Sequence, residues 1–267
     1  MLVDKDKPIS ESEPTAPAND SREQPPPYPT DSPNTFGDSS GTTKMNNYWL
    51  YSSQHKITGT YIIDPSLPGS SLKECDPDYR MPYSSDHKKF LPEKHTPNVF
   101  FVTKQCPISL NLSVESGSKG QDVESSKVHM LVRSREGDVN VNLTSIQENH
   151  HVCLELSTRN GQTILFLPPT FDGFIHICNG RAPVEILSEC AKHTRIVYGS
   201  DEASLIRFSP SNGSDSPLAV TEQDLQSSSL DHCLLGGSRG RIVIGISGMD
   251  HYEPPVAKTG LQKIFGA

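Results

Sequence analysis

One unit occurs twice in this chain with an offset of 24 residues, and it restricts the fold more than any other feature. Val128, Met130 and Val132 alternate with polar residues into Ser134, Arg135, Glu136 and Gly137, after which Val139, Val141 and Leu143 alternate out again. Val152, Leu154 and Leu156 likewise lead into Thr158, Arg159, Asn160 and Gly161, and Ile164 to Leu167 leads out. Successive side chains of a strand face opposite sides, so this alternation marks strands with one buried face, not a helix. Looser copies of the turn stand at Asn179 and Gly180 and at Ser238, Arg239 and Gly240, the last followed by Ile242, Ile244 and Ile246.

A strand pair of this length cannot bury its own apolar face, so repeated pairs must stack. The expectation is an all-β single domain of stacked short strands, either β-solenoid-like or a β-sandwich built from successive hairpins. In a hairpin the strands flanking Gly161 pair with each other, whereas in a solenoid each pairs with its counterpart one repeat away. The glycines of the turns are expected to supply the positive φ of a tight reversal. The arginines beside them have two readings: a shared ligand surface, and solvated turn residues whose stems cover the strand edge. The second is the simpler.

Before this region, residues 1–47 hold eight of the 22 prolines and eight acidic residues against four basic ones, with almost no bulky aliphatic side chain after Ile9. Such a segment cannot offset its ordering entropy and is expected to be a disordered tail. The boundary is placed at Tyr48, Trp49, Leu50 and Tyr51, where aromatic side chains offer surface to bury. A β-rich domain is expected over 48–248, with strands at Ile57 to Asp64 and Val99 to Thr103, and alternation at Ile108, Leu110, Leu112 and Val114. Polar, unpatterned stretches at 68–98 and 209–231 read as long loops. Thr221 to Asp224 suits a single helical turn, and 249–267 reads as a C-terminal tail with a short helix near Leu261 to Phe265.

The formal charge of −8 gives no reason to attract a phosphate backbone, and no cluster of Lys and Arg is evident along the sequence, so nucleic-acid binding is not expected. The start lacks the apolar run of a secretory signal, and no stretch reaches membrane-spanning length. An intracellular, cytoplasmic protein follows as the expectation, with Cys75, Cys106, Cys153, Cys178, Cys190 and Cys233 as reduced thiols. The sequons at Asn111, Asn142 and Asn212 then carry no sugar.

Three constellations bear on chemistry. Gly236, Gly237, Ser238, Arg239, Gly240 fits the hydrolase pattern Gly-x-Ser-x-Gly, but a strand follows it where a nucleophile elbow needs a helix, so Ser238 is read as a turn residue. His151 with Cys153, and His176 with Cys178, form two His-x-Cys pairs; were their strands adjacent, four zinc-type ligands would converge. The alternative, ordinary thiols and partly exposed imidazoles, fits the absence of Cys-x-x-Cys spacing better. Pro25, Pro26, Pro27 and Tyr28 make a Pro-Pro-x-Tyr of the kind that WW-domain grooves take as polyproline II. No phosphate loop, His-Glu-x-x-His or EF-hand pattern is present, and no cofactor is expected. Glu185, Glu189, Asp201 and Glu202 read as a solvated strand face.

Ile62, Ile63, Asp64, Pro65, Ser66 and Leu67, the Arg159, Asn160, Gly161 turn leading to Leu167 and Pro168, and Phe171 with Gly173 resemble, in that order, a fungal domain of unknown function, DUF7330. The likeness spans about 57–247, with a long polar insertion at 68–98. It implies a β-rich domain behind a Pro-rich tail in an intracellular fungal protein, with no functional residues to transfer. The expectation is therefore a non-catalytic interaction or scaffold protein. The competing reading is an enzyme or carbohydrate-binding β domain, which would show a deep pocket of convergent polar groups instead of a filled core and flat faces.

Overall fold

The structure is a computed structural model and describes residues 42–68, 97–117, 126–178, 182–200, 203–210, 229–237 and 239–254. A short strand, β1 (Thr43–Met45), precedes the aromatic cluster and is followed by six two-strand rungs. The first four run in chain order: β2 (Tyr48–Ser52) with β3 (Ile57–Ile63), β4 (Val99–Thr103) with β5 (Ile108–Val114), β6 (Ser126–Ser134) with β7 (Val139–Ile146), and β8 (His150–Thr158) with β9 (Thr163–Leu167). Every strand of a rung pairs in parallel with its counterpart in the next, as Ser126 with His150 through Ser134 with Thr158, and Val139 with Thr163. The strands flanking Gly161 pair with their counterparts one rung away, the solenoid arrangement and not the hairpin one.

The next two rungs are out of order. β10 (Gly173–Cys178) and β11 (Val184–Ile186) do not stack on β8 and β9. The chain first passes through α1 (Ser188–Lys192) and the antiparallel pair β12 (Thr194–Gly199) and β13 (Ala203–Phe208). It then returns as β14 (Asp231–Gly237) and β15 (Ile242–Ile246) to fill the slot between the fourth rung and β10 with β11. The result is two stacked sheets, ordered β1-β3-β5-β7-β9-β15-β11 and β12-β13-β10-β14-β8-β6-β4-β2.

The core lies between the sheets, in rows that the register dictates. Val99, Met130, Leu154, Cys233, Ile175 and Ile206 make one row, and Phe101, Val132, Leu156, Leu235 and Ile177 the next; all are buried. Each such side chain contributes about 1.5–3 kcal/mol by leaving water. The inserted rung is tied in by Asp231, a buried carboxylate that accepts hydrogen bonds from the Val152 N–H (2.9 Å) and the Asp172 N–H (3.0 Å). Burial pushes this carboxyl above its ordinary value, and the two amides and His151 nearby pull it back.

Two sequence expectations are corrected. Gly137, Gly161 and Gly240 are not among the glycines with positive φ. Glycine is needed at these corners because the turns stack too closely for a β-carbon: one on Gly161 meets the Gly137 carbonyl, and one on Gly240 meets the Gly161 carbonyl. Of the carboxylates expected on a solvated strand face, Glu185 stands on strand β11, whereas Glu189 lies on α1. The first-turn amides of α1, Glu189 N–H and Cys190 N–H, are capped by Asp250 from sixty residues further on, each at 2.9 Å, a partner invisible to local patterning.

Of the tail expected over 1–47, residues 43–45 form β1, paired with β3, and residues 1–41 lie outside the described residues, as do most of the 68–98 and 209–231 loops and the C-terminal helix. Among the described residues no helix is long and apolar enough to cross a membrane.

Candidate basic groove

The rung corners carry a hydroxyl ladder. Thr103, Ser134 and Thr158 are buried at equivalent strand ends. The Gly137 N–H donates to Ser134 Oγ (2.8 Å) and the Gly161 N–H to Thr158 Oγ1 (3.0 Å). The Thr158 hydroxyl donates to the Gly137 carbonyl (3.0 Å), and Thr103 Oγ1 lies 2.5 Å from the Cys106 carbonyl and 3.0 Å from Ser134 Oγ. This explains why the repeated turn begins with Ser or Thr: the hydroxyl closes its own turn and locks the one beneath it.

With the corners fixed, the residue after each hydroxyl projects from the same edge. Lys104 and Arg135 thereby stand on adjacent rungs, and Arg159 follows on the next, its N–H bonded to the Arg135 carbonyl at 3.2 Å. Arg133, two residues earlier on β6, points outward beside Val102 of β4, which pairs in turn with Tyr51 of β2. Tyr51, Val102, Thr103, Lys104, Arg133 and Arg135 line an open groove of about 260 Å³. Tyr51 is 46% exposed and Lys104 and Arg135 are exposed, whereas Val102 and Thr103 form a buried floor.

None of Lys104, Arg133 and Arg135 forms an ion pair among the described residues, whereas Arg207 is paired with Asp172 and Arg241 with Glu185, the latter at 2.9 Å. Three cations held close together without a carboxylate repel one another, and an anion in the groove relieves that repulsion. The aromatic face of Tyr51 adds a surface for an apolar or planar group. The sequence shows only Arg133 and Arg135 two residues apart; Lys104 joins them from the neighbouring rung through the pairing of β4 with β6. Of the turn arginines, Arg135 lines the groove.

The two His-x-Cys pairs are not brought together. β14 lies between β8 and β10, so Cys153 stands across from His232 and, beyond it, Phe174, while His176 stands across from Leu234. His151 Nδ1 sits 3.5 Å from Asp231, and His176 Nε2 lies 3.9 Å from its own Cys178. Burial pushes both thiols, Cys153 and Cys178, up to about 11, which disfavours the thiolate a metal needs. Among the described residues no group of three or more His, Cys, Asp and Glu side chains is placed to hold a metal ion. Ser238 lies outside the described residues, and the segment around it joins strand β14 to strand β15. Glu185 and Glu189 are engaged by Arg241 and Lys192 and share no site; Asp201 and Glu202 lie outside the described residues, as do Pro25, Pro26 and Tyr28.

The family model for Domain of unknown function (DUF7330) matches residues 46–204, more than half of the chain. The chain belongs to the DUF7330 family. The DUF7330 match covers the first four rungs, β10, β11, α1 and β12, and stops at the start of β13. The groove lies wholly inside the DUF7330 region, whereas the inserted rung β14–β15 lies beyond it. No curated protein and no solved structure matches the chain.

Proposed function

We propose that this DUF7330 protein is a non-catalytic interaction module that holds an acidic segment of a partner protein in the groove between Tyr51 and Arg135. The observation that carries this reading is the convergence of Lys104, Arg133 and Arg135, without ion pairs among the described residues, on a chain whose net charge is −8. A chain this acidic keeps long polyanions at a distance and leaves a local basic groove to a short, mixed segment. The groove volume suits one or two side chains and falls below that of usual small-molecule sites. Its lining holds no carboxylate, imidazole or thiol, and the Thr103 hydroxyl is taken up by the ladder. That inventory suits the binding of an anion.

The wider setting of the reading is an intracellular, cytoplasmic and fungal protein, with Pro25, Pro26 and Tyr28 offering a second contact to a WW-type groove. The test is fluorescence anisotropy with a labelled Glu-rich peptide containing one Trp, against the same peptide with Gln for Glu. Arg133→Glu combined with Arg135→Glu is expected to weaken the acidic peptide by about tenfold or more, and added salt to weaken it further. Equal binding of the Gln peptide, or no loss in the variant, would contradict the reading.

A further inference from the structure

The groove between Tyr51 and Arg135 brings three positive charges into one small space. Arg133 stands on β6, Arg135 follows about 7 Å further along the chain, and Lys104 comes from the end of β4, a strand about 4.8 Å away. The Arg135 N–H donates to the Thr103 carbonyl at 3.2 Å, which fixes the two strand ends side by side. The three cationic side chains therefore rise from neighbouring backbone positions around one buried floor, Val102 and Thr103. Glu136, next to Arg135 in sequence, is not part of the lining.

Charge and volume together narrow the guest. The groove takes one or two side chains, and each carboxylate carries a single charge. Two glutamates fill it and still leave one of the three cations uncompensated. A phosphorylated serine or threonine carries about 1.5 to 2 negative charges at neutral pH. One such side chain beside one carboxylate matches the three cations within the same volume. The count of oxygens agrees: a phosphoryl group offers three acceptors in a tetrahedral array, against two in the plane of a carboxylate, and arginine forks take such oxygens two at a time.

We infer that the acidic segment held in this groove is phosphorylated, with a phosphoserine or phosphothreonine between Lys104, Arg133 and Arg135 and an acidic residue beside it in the partner. The inference rests on the reading of the groove as a docking site for an acidic segment and adds a condition to it: docking depends on the phosphorylation state of the partner. The phosphoryl group faces Tyr51 from β2, Lys104 from the end of β4, and Arg133 and Arg135 from β6 and its turn. None of these is a carboxylate or an imidazole, so the charge that changes in the groove between about pH 7.5 and about pH 5 is the ligand's own.

The test is fluorescence anisotropy of the full chain with three labelled peptides: the Glu-rich peptide, the same peptide with phosphoserine at one central Glu, and the same with Ser there. At about pH 7.5 the phosphoserine peptide is expected to bind about tenfold tighter than the Glu peptide, and the Ser peptide weaker than both. The phosphate takes up its second proton near about pH 6, so at about pH 5 that advantage is expected to vanish, while carboxylates stay largely charged and the Glu peptide loses little. Arg133→Glu with Arg135→Glu is expected to abolish the advantage with an unchanged circular dichroism spectrum. A phosphoserine peptide bound no tighter than the Glu peptide would overturn the inference and leave the acidic-segment reading standing, whereas no binding of any of the three would overturn both. An advantage that persists at about pH 5, or in the doubly substituted chain, would also overturn the inference. Inorganic phosphate that displaces the phosphoserine peptide at equal concentration would overturn the assignment to a protein segment.

Discussion

Gly240 lies so close to Gly161 in the stack that a β-carbon on Gly240 would fall inside the van der Waals envelope of the Gly161 carbonyl. The two residues are 79 positions apart in sequence and adjacent in space because β15 pairs with β9. That single contact records both properties that define this fold: rungs stacked at the corners, and a late rung fitted between earlier ones.

Gly161→Ala is expected to cost about 3 kcal/mol, because its β-carbon meets the Gly137 backbone and neither rung can move without shifting its neighbours. Gly248 is glycine for a different reason: φ is 75° and open space surrounds it, so Gly248→Ala is expected to cost only about 1 kcal/mol of left-handed strain. Urea denaturation of both variants measures the contrast, and equal losses would mean that corner stacking does not set the glycine requirement.

Thr163 sits in an apolar row between Val139 and Ile242, fully buried, and its hydroxyl has no hydrogen-bond partner among the described residues. Thr163→Val keeps the shape and removes an unsatisfied polar atom, so it is expected to stabilise the protein by about 1 kcal/mol. A drop in the urea midpoint would contradict that expectation.

The buried His150 shares a 2.8 Å hydrogen bond between Nδ1 and Ser126 Oγ, and burial pushes its imidazole below the ordinary 6.5. As pH falls through 6.5 the unfolded chain takes up a proton that the folded one refuses, so the stability His150 contributes above that pH is lost on acidification. His150→Gln lacks this loss. The gap in melting temperature between wild type and variant is expected to narrow from about pH 7.5 to about pH 5, and a constant gap would show that His150 titrates alike in both states.

A chain truncated after residue 228 retains the DUF7330 region but lacks β14 and β15. Leu154, Leu156, Ile175 and Ile177 then lose the row members Cys233 and Leu235 that separate them. Loss of cooperative thermal unfolding is expected; a sharp transition in the truncated chain would mean that β10 can stack on β8 without the inserted rung.

Period-two patterning made strands such as β6, β7 and β8 legible from sequence, because one face of each is buried and the alternation of residues such as Val128, Met130 and Val132 records it, whereas β10 to β13 show no such run. The 24-residue offset also carried the true register of β6 on β8. What sequence withheld depends on partners far along the chain. The helix cap of α1 comes from Asp250, and the slot between β8 and β10 is filled by β14. The glycine corners were found but given the wrong cause, since the requirement arises between turns and not within one. The groove was half visible: Arg135 stood out in the repeated turn with Arg133 two residues before it, while Tyr51 and Lys104 join them only through pairing across rungs.

Backbone amide shift mapping by NMR, on the isotopically labelled full chain titrated with the Glu-rich peptide, tests the central claim most directly. Shift changes confined to residues around Tyr51, Val102 to Lys104 and Arg133 to Arg135, and absent with the Gln peptide, are the result expected. Changes spread evenly over the sheets, or centred on β12, would contradict the assignment of this groove as the binding surface.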